Sequence, residues 1–154
     1  GAKNSSGDLL VFLDADTRLA KDAIATLVNV IEKKKKTTNK LFIGTLKTLP
    51  DEKSAKAIVF SFIKNTARLF RASSPVIFCE RELFEKVNGF DETLQVGKHD
   101  DGEFVRRASK LGKFRCINKS YALTSMRRYE KNGYLNTIKY WTFSNKDKEY
   151  PEIR

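Results

Sequence analysis

The sequence has only two cysteines and one histidine, too few for a disulfide framework or a Cys/His zinc site. Cys79 and Cys116 stand far apart with no CxxC spacing, which fits a reducing compartment and a cytoplasmic setting. No apolar run approaches the roughly 18 residues a spanning helix needs, and nothing resembles a signal peptide, so the expectation is a chain that does not itself cross a membrane. Internal repeats are lacking, and the one low-complexity tract is Lys33 to Lys36. Acidic residues are also in short supply: 19 Asp and Glu face 30 Lys and Arg, for a net charge of +11. That balance admits nucleic acid, anionic lipid or a phosphate-bearing ligand as partner. No aromatic-interleaved nucleic-acid motif is present, so nucleic acid is not expected. The lysine run falls where a helix should end, and cations there oppose the negative end of the helix dipole.

What is present is enough for one domain: 154 residues, 40% of them hydrophobic. Apolar periodicity predicts strands at Leu9 to Leu13, Leu41 to Leu46, Val76 to Cys79 and Phe114 to Ile117. Helices are predicted at Lys21 to Lys35, Ser54 to Phe70, Glu80 to Val87 (stopped by Asn88-Gly89), 101 to 111 and Tyr134 to Phe143. In the first helix Ala23, Ile24, Leu27, Val28 and Ile31 share a face, and in the second Ile58, Val59, Phe62, Ile63, Leu69 and Phe70 supply apolar residues expected to pack in the core. The alternation of strands and helices argues for an α/β layered domain.

Two acidic constellations carry the chemistry. In VFLDADTRL an apolar strand ends in Asp14 and Asp16, and ligands of open α/β sheets bind beyond the carboxyl ends of strands. Two readings stand: a local turn or cap device, or hard oxygen ligands for Mg²⁺ or Mn²⁺ with positions left open for phosphate. In GKHDDGEFVRRASKLGK, residues 97 to 113, Asp100 and Asp101 precede a helix that holds Glu103, Arg107 and Lys110. Acids at that end cap the helix and meet its dipole. Neighbouring carboxylates also hinder one another's ionisation, which lifts a pKa toward the range of a general base. The single histidine, His99, reads as a pocket-wall or surface group. Arg127 and Arg128 read by themselves as solvated, and Tyr129 and Trp141 as core aromatics or stacking platforms.

Four stretches together resemble the C-terminal portion of a family 2 inverting glycosyltransferase with the GT-A fold. GAKNSSGDLLVFLDADTRL is similar to that family's Asp-x-Asp strand, PVIFCERELFEKVNGFDETL to its acceptor-side segment, HDDGEFVRRASKLGKF to its Glu-Asp-x-acid pattern, and SMRRYEKNGY to its downstream Gln-x-x-Arg-Trp loop. They occur in family order. The resemblance implies an α/β GT-A-like mixed sheet flanked by helices, with residues 1–19 a metal and donor segment, 76–112 an acceptor and base segment, and 120–154 a C-terminal loop and helix. It implies Mg²⁺ or Mn²⁺ on Asp16, with Asp14 and Arg128 on the nucleotide-diphosphate sugar donor and Asp101 as catalytic base. Asp100, His99 and Arg127 would lie on the acceptor side, with Asp100 replacing the more usual Glu. The acceptor would be a saccharide or lipid-linked. Independently of the resemblance, the amphipathic, Lys/Arg-bearing segments 54–71 and 126–146 admit peripheral contact with anionic membrane, with core packing the expected use of their apolar faces. The family's earlier nucleotide-binding strands have no counterpart here, so the expectation is a piece of a longer enzyme with little turnover of its own.

Two other classes fit parts of the pattern. A haloacid-dehalogenase-like phosphatase also ends a strand in Asp-x-Asp, but Arg18 occupies the position where its Thr or Val should stand. A nonenzymatic basic binding module would account for the charge alone.

Overall fold

The computed structural model describes residues 1–70, 74–93 and 100–143, of which residues 70, 100 and 139–143 are described by backbone alone. Its five strands are β1 (Leu9–Leu13), β2 (Thr17–Leu19), β3 (Phe42–Pro50), β4 (Val76–Glu80) and β5 (Lys113–Thr124). They form one sheet in the order β1-β4-β3-β5-β2. β3 and β5 are parallel and the remaining pairs antiparallel. β1, β3 and β5 therefore point the same way, and their carboxyl ends share one edge with the start of β2.

The flanking helices are α1 (Ala23–Lys35), α2 (Ala55–Ala67), α3 (Arg81–Lys86), α4 (Asp100–Leu111), α5 (Arg127–Asn132) and α6 (Tyr134–Phe143). α1 covers one face of the sheet, burying Ala23, Leu27 and Ile31 against Phe42, Leu46, Phe78 and Ile117. Ile24 and Val28, expected on that buried face, are 48% and 39% exposed, so the seam is the narrower i, i+4, i+8 stripe. The opposite face is covered by α3 and α4, whose Leu83, Phe104, Val105 and Ala108 pack on Ile43, Ile77 and Cys79. Burial there pushes the Cys79 thiol up to about 12, which makes it an inert packing group. A smaller third cluster joins α2 to α5 and α6 through Ala57, Phe60, Met126, Tyr129, Tyr134 and Ile138.

Local chemistry sets the joints. α3 stops in the left-handed turn expected at Asn88-Gly89, where Asn88 N–H returns to Glu85 C=O and Gly89 N–H to Phe84 C=O. α4 passes into β5 at Gly112, where a Cβ would meet the Leu41 carbonyl at 3.0 Å and press on Leu83. Buried Glu80 accepts the Phe42 N–H at 2.7 Å and pairs with Lys35, which is thereby drawn out of the lysine run. The hydrogen bond that Lys35 Nζ donates to Glu80 Oε1 holds the ammonium above its ordinary pKa and compensates the buried carboxylate. Among the described residues no helix is long and apolar enough to cross a membrane.

The second helix departs from expectation. Ile58, Val59, Phe62, Ile63 and Leu69 are exposed, and the side of α2 turned inward is Ala57, Phe60 and Ser61. Polar anchors hold it there: Ser61 Oγ donates to Thr48 C=O at 2.9 Å, and Asn65 Nδ2 donates to the same carbonyl at 2.7 Å.

Candidate active site

The sheet edge defined by the carboxyl ends of β1, β3 and β5 gathers three loops. β1 ends at Leu13, and residues 14 to 17 form a turn closed by Thr17 N–H to Asp14 C=O at 3.0 Å. The turn feeds β2, whose Thr17 is paired with Thr124 at the end of β5. Thr17 Oγ1 lies 3.1 Å from Thr124 Oγ1 and 3.5 Å from Asp16 Oδ1. One residue beyond Thr124, Ser125 N–H donates to Asp16 C=O at 3.2 Å. Asp14 and Asp16 are both exposed. The expected turn device is thus real, and it presents two carboxylates to solvent at the strand end.

The third loop supplies residues that the sequence alone did not single out. Asp51 follows β3, donates its N–H to Thr124 C=O at 3.0 Å and pairs with Arg18. Glu52 accepts the Met126 N–H on both carboxylate oxygens, at 3.1 and 3.0 Å, and lies 3.3 Å from Ser125 Oγ. It therefore fixes the start of α5. The available signal was an acidic pair directly after Pro50, hidden because the predicted strand stopped at Leu46.

Arg127 and Arg128 open α5 and are exposed. Arg127 Nε donates to Ser125 Oγ at 3.2 Å. The loop between β5 and α5 thus brings both arginines to the edge that carries Asp16. Tyr129 turns the other way, with its ring 4.7 Å from Phe60 and the Lys64 ammonium 4.6 Å above its face, so it packs in the third cluster and is not a sugar platform.

Asp101 reaches this edge from the far side of the sheet. α4 leads directly into β5 and packs on β3 and β5, so its first turn lies toward the carboxyl edge. Phe104, one turn after Asp101, is fully buried, and its ring is 6.1 Å from that of Phe12, two residues before Asp14. Phe84 and Phe90 complete the aromatic cluster. Asp101 is half-buried. Asp100 is the first residue of α4, with its side chain outside the described set, and His99 lies outside the described residues altogether.

Glu103, in the first turn of α4, is ion-paired. Arg107 grips it with Nε to Oε1 at 2.9 Å and Nη2 to Oε2 at 2.8 Å, while also donating to the Val87 and Gly89 carbonyls. That guanidinium holds the Glu103 carboxyl below its ordinary range, so Glu103 is a staple between α4 and the end of α3. The folded pKa is lower than the unfolded value of 4.5, so the staple contributes stability above that pH and loses it as pH falls through the folded value. Acid melts should therefore show a steeper loss of Tm in the wild type than in Glu103→Gln, and parallel curves would contradict this pairing.

Among the described residues no three His, Cys, Asp or Glu side chains cluster so as to hold a metal by themselves. Asp14 and Asp16 nevertheless fit a Mg²⁺ or Mn²⁺ that takes one or two carboxylates from protein and the rest of its oxygens from phosphate and water.

No protein-family model matches this chain, and neither does any curated protein. Among solved structures it is similar to S. aureus TarS 1-349, at 14% sequence identity and a TM-score of 0.60, over 95% of this chain and 50% of that one. The chain thus spans about half the length of that structure. The likeness establishes the fold, an α/β domain with a mixed five-stranded sheet between helices.

Proposed function

We propose that this chain is the metal- and acceptor-bearing part of a family 2, GT-A-type inverting glycosyltransferase, moving a sugar from a nucleotide-diphosphate donor to an acceptor hydroxyl. The observation that carries this is the hydrogen bond from Ser125 N–H to Asp16 C=O, which stitches the Asp14–Asp16 turn to the loop opening on Arg127 and Arg128. Further support is the fold it shares with S. aureus TarS 1-349.

Asp16, with Asp14 beside it, would hold Mg²⁺ or Mn²⁺. Bound there, the ion would neutralise charge on the diphosphate and make it a better leaving group. Arg128 meets the same phosphates, since a planar guanidinium can take two oxygens at once. Asp101 receives the proton of the acceptor hydroxyl. The freed oxygen then bonds to the anomeric carbon from the side opposite the diphosphate, whose bond to that carbon breaks and keeps its electron pair. Inversion follows from that approach. Asp100, His99 and Arg127 are assigned to the acceptor, a saccharide or lipid-linked hydroxyl.

The test, made on the longer enzyme of which this reading makes the chain a part, is acceptor-dependent release of UDP or GDP from the corresponding nucleotide sugars in Mn²⁺, with Asp16→Ala as control. Release in the wild type that is lost in the variant is expected, with no hydrolysis of p-nitrophenyl phosphate. Hydrolysis of that ester, lost in Asp14→Asn, would assign the aspartates to a phosphatase instead.

A further inference from the structure

Helix α2 buries its polar side and exposes its apolar one. Its inward stripe runs through Ala57, Phe60, Ser61, Lys64 and Asn65 and continues to the buried Arg68. Outward lie Ile58, Val59, Phe62 and Ile63, which are 56%, 61%, 74% and 39% exposed, and Leu69 extends the stripe at 57%. Phe62, Ile63, Thr66 and Ala67 line a shallow apolar groove along it. A surface helix ordinarily does the reverse. Single exposed hydrophobics need no explanation, but a contiguous stripe of five marks a surface that something covers.

The charge around the stripe says what that is. Residues 53–79 contain no acidic residue, Asp51 and Glu52 directly precede them, and of their cations Lys64 and Arg68 belong to the inward side. Lys53 and Lys56 are exposed at the start of α2. An apolar stripe headed by two exposed lysines, on a chain of net charge +11, is complementary to a surface that is oily below and anionic above. A protein partner would have to match the same stripe with its own apolar groove and acidic rim; a leaflet of anionic phospholipid offers both everywhere.

We propose that α2 lies in the plane of an anionic phospholipid bilayer, with Ile58, Val59, Phe62, Ile63 and Leu69 seated at the acyl boundary and Lys53 and Lys56 among the headgroup phosphates. The helix starts directly after Glu52, the residue that fixes the head of α5, so docking brings the carboxyl edge of the sheet beside the membrane. This rests on the face of α2 and not on the proposed sugar transfer, and it stands or falls separately.

The experiment is flotation with vesicles of phosphatidylcholine alone and of an equal mixture with phosphatidylglycerol. The wild type should float with the anionic vesicles and stay behind with the neutral ones. Phe62→Ser should lower the partition coefficient by about tenfold. Lys53→Gln and Lys56→Gln should each lower it by about fivefold. Circular dichroism and Tm should be unchanged in all three, because each side chain is exposed. Wild-type protein that ignores anionic vesicles, or Phe62→Ser that floats as well as wild type, would overturn the proposal. So would a concentration-dependent dimer that Phe62→Ser dissolves without any vesicle binding, since the stripe would then belong to a second copy.

Discussion

Asp101→Asn is expected to lower the proposed sugar transfer by about a thousandfold, the middle of the range for loss of a general base. Asn keeps the shape of the side chain and can still accept a hydrogen bond, but it cannot take the acceptor proton. Asp101 sits in the first turn of α4, where a negative charge meets the positive end of the helix dipole. Losing that interaction costs a few tenths of a kcal/mol of stability and leaves the fold intact. Mn²⁺-dependent binding of UDP or GDP should be unaffected, since Asp101 stands on the opposite side of the sugar from the diphosphate in the proposed geometry. The split between rate and binding is the informative part. A variant that loses nucleotide binding as well would make Asp101 a donor ligand, and one that transfers at the wild-type rate would put the base elsewhere.

Phe104→Ala should destabilise the protein by about 4 kcal/mol, measured by urea unfolding, because it empties a fully buried ring site at the centre of an aromatic cluster. The ring lies 4.4 Å from Phe90, 5.6 Å from Phe84 and 6.1 Å from Phe12. Phe104→Leu fills most of the gap and should cost about 1 kcal/mol. Phe62→Ala supplies the contrast: the same chemical deletion on the outer face of α2 should leave stability within about 0.5 kcal/mol of wild type. Equal costs for Phe104 and Phe62 would contradict the placement of α4 on the sheet. Because Phe104 joins the segment of Asp101 to the segment of Asp14, its loss should also depress the proposed transfer under conditions where the variant is still folded.

The sequence made visible what depends on neighbours along the chain. β1 was legible residue for residue, since an uninterrupted apolar run stops at an acid, and so were α6 and the end of α3 at Asn88-Gly89. β5 was read only over Phe114 to Ile117, whereas the strand continues to Thr124. Its pairing with β3 jumps from Ile117 to Tyr121, so Asn118, Lys119 and Ser120 interrupt the apolar pattern while the strand goes on. β2 is three residues long, and α5 has no apolar periodicity. α5 is held at its head by Glu52, a residue distant in sequence, and no local pattern can announce that contact. Periodicity also showed that residues 54 to 70 form a helix with an apolar stripe, but not which side would be covered. The candidate site divides the same way: the aspartates at strand and helix ends were legible, while the part played by Asp51 and Glu52 needed the fold.

The most direct measurement is calorimetric titration of UDP and GDP, with and without Mn²⁺, into the longer enzyme of which the proposed function makes this chain a part, for wild type and Asp16→Ala. The proposed site predicts binding of one of the two nucleotides only when Mn²⁺ is present, weak or no heat from Mn²⁺ added without nucleotide, and no nucleotide binding in a folded Asp16→Ala. Nucleotide binding that is indifferent to both Mn²⁺ and Asp16, or its absence from folded wild-type protein, would contradict the assignment of the Asp14–Asp16 turn to a diphosphate-bound metal.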